Sequence, residues 1–260
     1  MKRILAIAAI LLSATALSAQ NKTYFVSPSG NDAADGLSVA KAWKTIDKVN
    51  TVTFQPGDKI LFEGGKSFPG QLILKGIGTE EAPIILSSFG DAGRPVINMG
   101  KDAGNAITLE NASGWEIIGM EITSGYSPEV GVGRSGIVVS ATGDGIEYKH
   151  LVIKDNYIHD VTRSTYMGVG IYLDECSSMI TVTNNIVVDT QDCSHFEQYS
   201  ARSNLVENNV FLQHRTRGVP FSLPTPTATA RPCDLRHNLA VWNKSRLFYA
   251  GGADRTIFRF

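Results

Sequence analysis

Apolar residues in this chain come in short runs that alternate with polar positions, and almost every run is closed by Gly, Pro, Asn or Asp. That period-two pattern predicts short strands. Tyr24-Phe25-Val26, Lys59-Ile60-Leu61-Phe62, Gln71-Leu72-Ile73-Leu74 and Ile84-Ile85-Leu86 are the first of them. Helical spacing is nearly absent. It predicts one helix, Ser38 to Asn50, where Ser38 stands as N-cap and Trp43, Ile46 and Val49 recur on one face. The stretch Ser27 to Asp32 is turn chemistry, and so is Pro56-Gly57-Asp58.

Further along, the chain repeats itself. Ile153-Lys-Asp-Asn156-Tyr-Ile158, Val182-Thr-Asn-Asn185-Ile-Val187, Val206-Glu-Asn-Asn209-Val-Phe211 and Leu235-Arg-His-Asn238-Leu-Ala240 share one pattern. Ile117 to Ile122 is a degenerate copy with Met120 in place of Asn. The Asn positions lie 29, 24 and 29 residues apart, within the range of solenoid repeats. A coil of two or three strands plus its bends needs about that many residues, by the same repeat logic. Each sharp bend needs a residue that tolerates left-handed dihedrals and bonds locally, which predicts that Asn takes both tasks. Stacked about 4.8 Å apart, equivalent Asn side chains would form a ladder inside the coil. A second strand set, Gly136 to Ser140, Gly170 to Asp174 and His195 to Tyr199, keeps the same period. An antiparallel sandwich also has many short strands, but it does not place one residue type at corresponding bends. The expected fold is all-β, a right-handed parallel β-helix with an N-terminal capping α-helix.

The first residues set the compartment. Lys2 and Arg3 precede an apolar core from Ile4 to Leu12, then small residues Ala14, Ala16 and Ala19. This predicts a signal peptide over 1–19, with cleavage after Ala16 as the alternative, and a secreted or periplasmic protein without a membrane span. The β-helix domain then covers 20–260, with the N-terminal cap at about 20–58 and coils at about 59–260. Twenty-four basic residues balance 25 acidic ones, so no nucleic-acid partner is implied, and a monomer is expected. Cys176, Cys193 and Cys233 are an odd set with no metal spacing. They are either small buried residues or one disulfide plus a free thiol.

Several stretches resemble the secreted bacterial right-handed β-helix proteins of the pectate-lyase-like superfamily. They are Tyr24-Phe-Val-Ser-Pro-Ser-Gly-Asn-Asp32 to Asp35-Gly-Leu-Ser38, Ala42-Trp43-Lys-Thr-Ile46, Pro83-Ile84-Ile85 to Arg94-Pro95-Val96-Ile97, and Gly168-Val-Gly-Ile-Tyr-Leu-Asp174. The resemblance covers nearly all of the chain after the leader. It implies polysaccharide lyase or glycoside hydrolase activity on a polysaccharide or oligosaccharide, and a helix that covers the open edge of the solenoid. Members of this group are usually longer. The strand-like end Thr256 to Phe260 carries no polar cap, so the coils are expected to be incomplete at the C-terminus.

Alternation places the candidate chemistry. If Ile171 and Leu173 point inward, Tyr172 and Asp174 point outward; if Phe196 points inward, His195, Glu197 and Tyr199 point outward. A one-residue slip reverses that assignment. The expected catalytic residues are Asp174, Glu197 and His195, and the expected sugar-binding residues are Tyr172, Tyr199, Arg163 and Arg202. Asp174 and Glu197 would serve a hydrolase as its two carboxylates. A lyase would use a basic residue, with Ca²⁺ neutralising a uronate. No cofactor or metal is otherwise expected, since Asp32 and Asp35 lack calcium-loop spacing and suit turns better. Each of these residues has a plainer role as a solvated or strand-forming side chain. A non-catalytic glycan-binding or structural β-helix is therefore the alternative to an enzyme, with hydrolase placed slightly ahead of lyase.

Overall fold

A computed structural model of the chain describes residues 21–100, 104–124, 134–142, 150–161, 168–174, 177–190, 192–196, 203–213, 221–223, 234–242, 248–250 and 257–259. The described strands form three parallel sheets, visited in fixed order on each turn from Lys59 onward. One turn, for example, runs Leu151–Lys154 in sheet one, Tyr157–Val161 in sheet two and Gly168–Leu173 in sheet three. Sheet one has nine described strands and sheets two and three have seven each. Every described strand pair is parallel, from Thr23–Val26 against Lys59–Glu63 to Asp234–Arg236 against Ile257–Arg259. The result is the expected right-handed parallel β-helix.

Alternation fills the interior. Ile60, Leu86, Ile117, Ile153, Val182, Val206 and Leu235 stack up sheet one, all buried, while the residues between them face outward. Ile97, Ile122, Ile158, Val187 and Phe211 do the same in sheet two, and Leu74, Leu109, Val139 and Leu173 in sheet three. A buried side chain of this size contributes about 1.5–3 kcal/mol, so the column is the main source of stability.

The corner from sheet one to sheet two is the Asn-marked bend. Asn156 Nδ2 donates to Asn185 Oδ1, Asn185 Nδ2 to Asn209 Oδ1 and Asn209 Nδ2 to Asn238 Oδ1, at 2.9, 2.9 and 3.0 Å. Each of these oxygens also accepts the backbone N–H of the preceding Asn. Each Nδ2 also donates to a carbonyl of the coil before it: Ile117, Ile153, Val182 and Val206. Met120, the degenerate position, donates its N–H to Asn156 Oδ1 at 3.0 Å and ends the row. The ladder is as expected, but the dihedrals are not. Positive φ falls on the residue before Met120 and before each ladder Asn: Gly119, Asp155, Asn184, Asn208 and His237. A two-residue corner divides the work, one residue reversing the backbone at the surface and the next turning its amide inward.

The N-terminal cap also departs from the single helix expected over 38–50. Val39–Lys41 is one 3₁₀ turn and the α-helix is only Ile46–Asn50. Thr45, not Ser38, is its N-cap and accepts from the Lys48 amide. Trp43 breaks the run because its backbone pairs with the first strand: its N–H reaches the Phe25 carbonyl and its carbonyl the Ser27 amide, both at 2.8 Å. Its ring stacks on Tyr24 at 4.7 Å. The helix then covers the edge of sheet three. Asn50 imitates a neighbouring strand, its Nδ2 donating to the Gln71 carbonyl and its Oδ1 accepting the Ile73 amide, both at 2.8 Å. This is how a solenoid end is kept from pairing with another chain. The turn residues before it work as expected: Asp32 Oδ1 accepts the Lys44 and Thr45 amides, and Asp35 Oδ1 accepts that of Leu37.

Candidate functional site

Two of the residues expected at the site, Tyr172 and Asp174, lie on the outer side of sheet three. Thr108, Val138 and Tyr172 stand in register on successive strands, and His195 follows opposite Tyr172. Ile171 and Leu173 are fully buried and Tyr172 and Asp174 half-buried, which settles the alternation as expected. Of the strand predicted at 195–199, His195 and Phe196 fall in the described strand Asp192–Phe196, whose ladder with Gly168–Leu173 begins at the Val169–Asp192 pair, and 197–199 lie outside the described residues.

Tyr172 and Asp174 meet. The phenol donates to Asp174 Oδ1 at 2.7 Å. The Asp174 backbone is held as well, its N–H on the Val139 carbonyl at 2.8 Å and its carbonyl on the Ser177 amide at 3.1 Å. Ser177 Oγ donates to the same Val139 carbonyl. The carboxylate thus stands where the chain leaves sheet three, fixed at backbone and side chain, with Oδ1 oriented by a hydroxyl. Ser140 and Glu110, paired in register, continue that row toward the N-terminal coils. Glu110 is exposed and was not singled out from the sequence, although its period-two position after Thr108 was a usable signal. A row of carboxylates and hydroxyls about 4.8 Å apart can hydrogen-bond successive hydroxyls of an extended ligand. Glu197, Tyr199, Arg163 and Arg202 lie outside the described residues, as do Cys176 and Cys233. For His195 only the backbone position is described.

A second cluster, on sheet two, was also missed. His159 Nε2 lies 3.2 Å from Glu121 Oε1, and its Nδ1 lies 2.9 Å from Asp160 Oδ2. The imidazole stacks on Tyr157, with ring centroids 4.5 Å apart. Burial pushes the Tyr157 phenol above its ordinary value, and Glu121, Asp160 and Asp189 add to the rise. The signal was the polar alternation Tyr157-x-His159 directly after a ladder Asn.

Among the described residues, no group of three or more His, Cys, Asp or Glu side chains is arranged to hold a metal ion. No helix among them is long and apolar enough to cross a membrane.

Residues 77–223, more than half of the chain, match a family model described as periplasmic copper-binding protein (NosD). Lacto-N-biosidase of Bifidobacterium longum subsp. longum is 43% identical over 82 residues, which are 29% of this chain and 5% of that protein. The crystal structure of a GH136 lacto-N-biosidase from Eubacterium ramulus superposes with a TM-score of 0.62 at 19% identity, over 82% of this chain and 45% of that one. Pectate lyase Pel9A superposes with a TM-score of 0.56 at 16% identity, over 82% of this chain and 61% of that one. The chain spans less than two thirds of each of these relatives, and at such identities the two structures speak for the fold alone.

Proposed function

The chain belongs to the family described as periplasmic copper-binding protein (NosD), and from that premise we propose an exported carbohydrate-active enzyme that cleaves a glycosidic bond, a glycoside hydrolase ahead of a polysaccharide lyase. The leader over 1–19 directs it outside the cytoplasm, and N-terminal sequencing of the mature protein tests cleavage after Ala19. Copper does not fit the described donors. Both ring nitrogens of His159 are engaged by carboxylates, and Met120 and Met99 are buried in the core. Copper sites are built from converging imidazole and sulfur ligands, and among the described residues no three His, Cys, Asp or Glu side chains converge.

The observation that carries the glycan reading is the Tyr172–Asp174 pair on the outer face of sheet three. A phenol beside an oriented carboxylate is what a sugar site uses, for contact with the ring and for acid, base or nucleophilic work at the anomeric carbon. Asp174 and Glu197 are the proposed carboxylate pair, with His195, Tyr199, Arg163 and Arg202 flanking the substrate. The likeness to lacto-N-biosidase and to a pectate lyase supplies two substrates to try.

The test incubates the protein with an oligosaccharide bearing a lacto-N-biose unit and, separately, with pectate. New reducing ends without unsaturated-uronate absorbance indicate hydrolysis, and that absorbance indicates elimination. Asp174→Ala should lower the rate by about 100- to 10,000-fold, the range for losing an acid–base group. A full rate in that variant, or no cleavage of any glycan, would sink the enzyme reading. Tight glycan binding without turnover would instead establish the non-catalytic alternative.

A further inference from the structure

Sheet two has an outer face unlike the others. On three successive strands both outward positions are aliphatic: Ile186 and Val188, Val210 and Leu212, Leu239 and Val241. Leu239 is 56% exposed, Val241 52% and Ile186 40%. Beneath them the inward residues Val187 and Phe211 are fully buried, so the outer aliphatics are not needed to fill the core. The next coil toward the N-terminus changes character abruptly. There stand Tyr157 and His159, with Glu121, Asp160 and Asp189 around them. The Asp160 side chain is 54% exposed and that of Glu121 30%. At the adjoining corner, Arg94 donates to the Asp155 carbonyl and Lys154 pairs with the Asp155 carboxylate.

We propose that this face docks an amphipathic helix of a partner protein, its apolar stripe on the six aliphatics and its Lys or Arg residues on Glu121 and Asp160. Size and polarity both argue for it. Four rungs at about 4.8 Å span roughly 14 Å, and the two outward positions of a strand lie about 7 Å apart. That footprint matches one face of about ten helical residues at 1.5 Å each. It falls well short of the roughly 800 Å² per partner that a stable dimer of the chain needs, and a docked helix of this size is held weakly and reversibly. A second copy of this chain is disfavoured by polarity as well. A two-fold axis along the solenoid sets the acidic end against itself, and one across it sets carboxylates on aliphatics. A basic amphipathic helix meets both ends with their complements.

Two labelled synthetic peptides test this on the full chain by fluorescence anisotropy. Both carry leucines at i, i+3, i+4 and i+7; one ends in two arginines, its twin in two glutamates. The arginine peptide should bind at least about tenfold more tightly, as expected when one end of the site is acidic. The double variant Val210→Thr, Leu239→Thr should weaken it about tenfold, and the double variant Glu121→Gln, Asp160→Asn should erase the preference between peptides. Threonine is a good strand former at outward positions, so these variants should keep the fold. Failure of both peptides, equal affinity for both, or indifference to the threonine variant overturns the proposal. So does a dimer of the chain in sedimentation velocity that Leu239→Thr dissolves, because it assigns the face to a second copy. The glycan assays are unaffected by any of these outcomes, so this proposal and the enzymatic one fail separately.

Discussion

The corner between sheets one and two and the connection between sheets two and three make opposite uses of sequence. The first is two residues long in every coil from Gly119-Met120 to His237-Asn238, always a left-handed residue followed by the ladder position. The second varies freely, from the short step between Pro69 and Leu72 to the long one between Ser124 and Arg134. The difference is one of accounting for buried polar groups. At the corner, amides lie inside the coil with no water to satisfy them, so each needs a partner at a fixed height, and one residue type supplies it. A connection whose backbone meets water needs no such fixed partner, so its length is free to vary.

Breaking the corner should therefore cost most. Asn185 is fully buried, and Asn185→Leu takes the acceptor from the Asn156 backbone amide, one of two acceptors from the Asn156 side chain, and the Asn185 Nδ2 bond from the Ile153 carbonyl, while the Thr183 carbonyl keeps the Asp155 amide. Each buried polar group left unpaired costs about 1–3 kcal/mol, so a loss of at least ~3 kcal/mol is expected, read as a lower urea midpoint. Asn238, the last described rung, is only half-buried, and Asn238→Ala should cost about half as much because water can replace part of the bonding. Equal costs at the two sites would mean that the ladder acts through local turn geometry and not through stacking.

This asymmetry also governs what the sequence disclosed. The Asn recurrence was legible because the ladder repeats one residue at one spacing, and it gave the coil, its core and its strand order. Tyr172 and Asp174 followed from simple alternation once Ile171 and Leu173 were placed inside. The helix boundary was misread because Ala42-Trp43-Lys44 has helical spacing, yet the Trp43 backbone finds better partners in the first strand. Glu110 and the Glu121–His159–Asp160 cluster escaped notice because their members come from different coils, far apart in sequence. Only the register brings them together. Position in a corner is local information, and position on a face is not.

The cap extends the comparison to acid. Burial alone would raise the Asp32 carboxyl, but hydrogen bonds from the Thr45 hydroxyl and from the Lys44 and Thr45 amides, with the Lys48 charge, hold it below the ordinary range. A carboxyl lowered on folding lends stability that is complete above its unfolded value and is lost as pH falls through its folded one. The cap should accordingly loosen below about pH 4, the unfolded value for Asp, while the uncharged Asn ladder has no such dependence. Hydrogen exchange of the Lys44 and Thr45 amides against pH checks this. Asp32→Asn should flatten the profile, and an equally acid-sensitive Asn185 amide would break the contrast.

The smallest effect concerns the other corner, where sheet three returns to sheet one. Gly114, His150, Met179 and Ser203 stand at equivalent positions there, each with positive φ between 53° and 65°. No common side chain marks this row: Gly114 is buried against the Gly78 backbone, His150 and Ser203 are half-buried and Met179 is exposed, so what they share is the conformation. Met179 is 44% exposed at φ 60°, and a side chain there costs about 1–2 kcal/mol relative to an unstrained residue. Glycine removes that cost but gives up about 0.5–1 kcal/mol to unfolded-state freedom. Met179→Gly should thus stabilise by about 0.5–1 kcal/mol, and Met179→Val, branched at a position that resists branching, should destabilise. A rise in Tm with glycine and a fall with valine would show that this corner selects for backbone conformation alone, whereas the corner of Asn185 selects for conformation and hydrogen bonding together. A fall with glycine would show that the Met179 side chain holds the corner through contacts of its own.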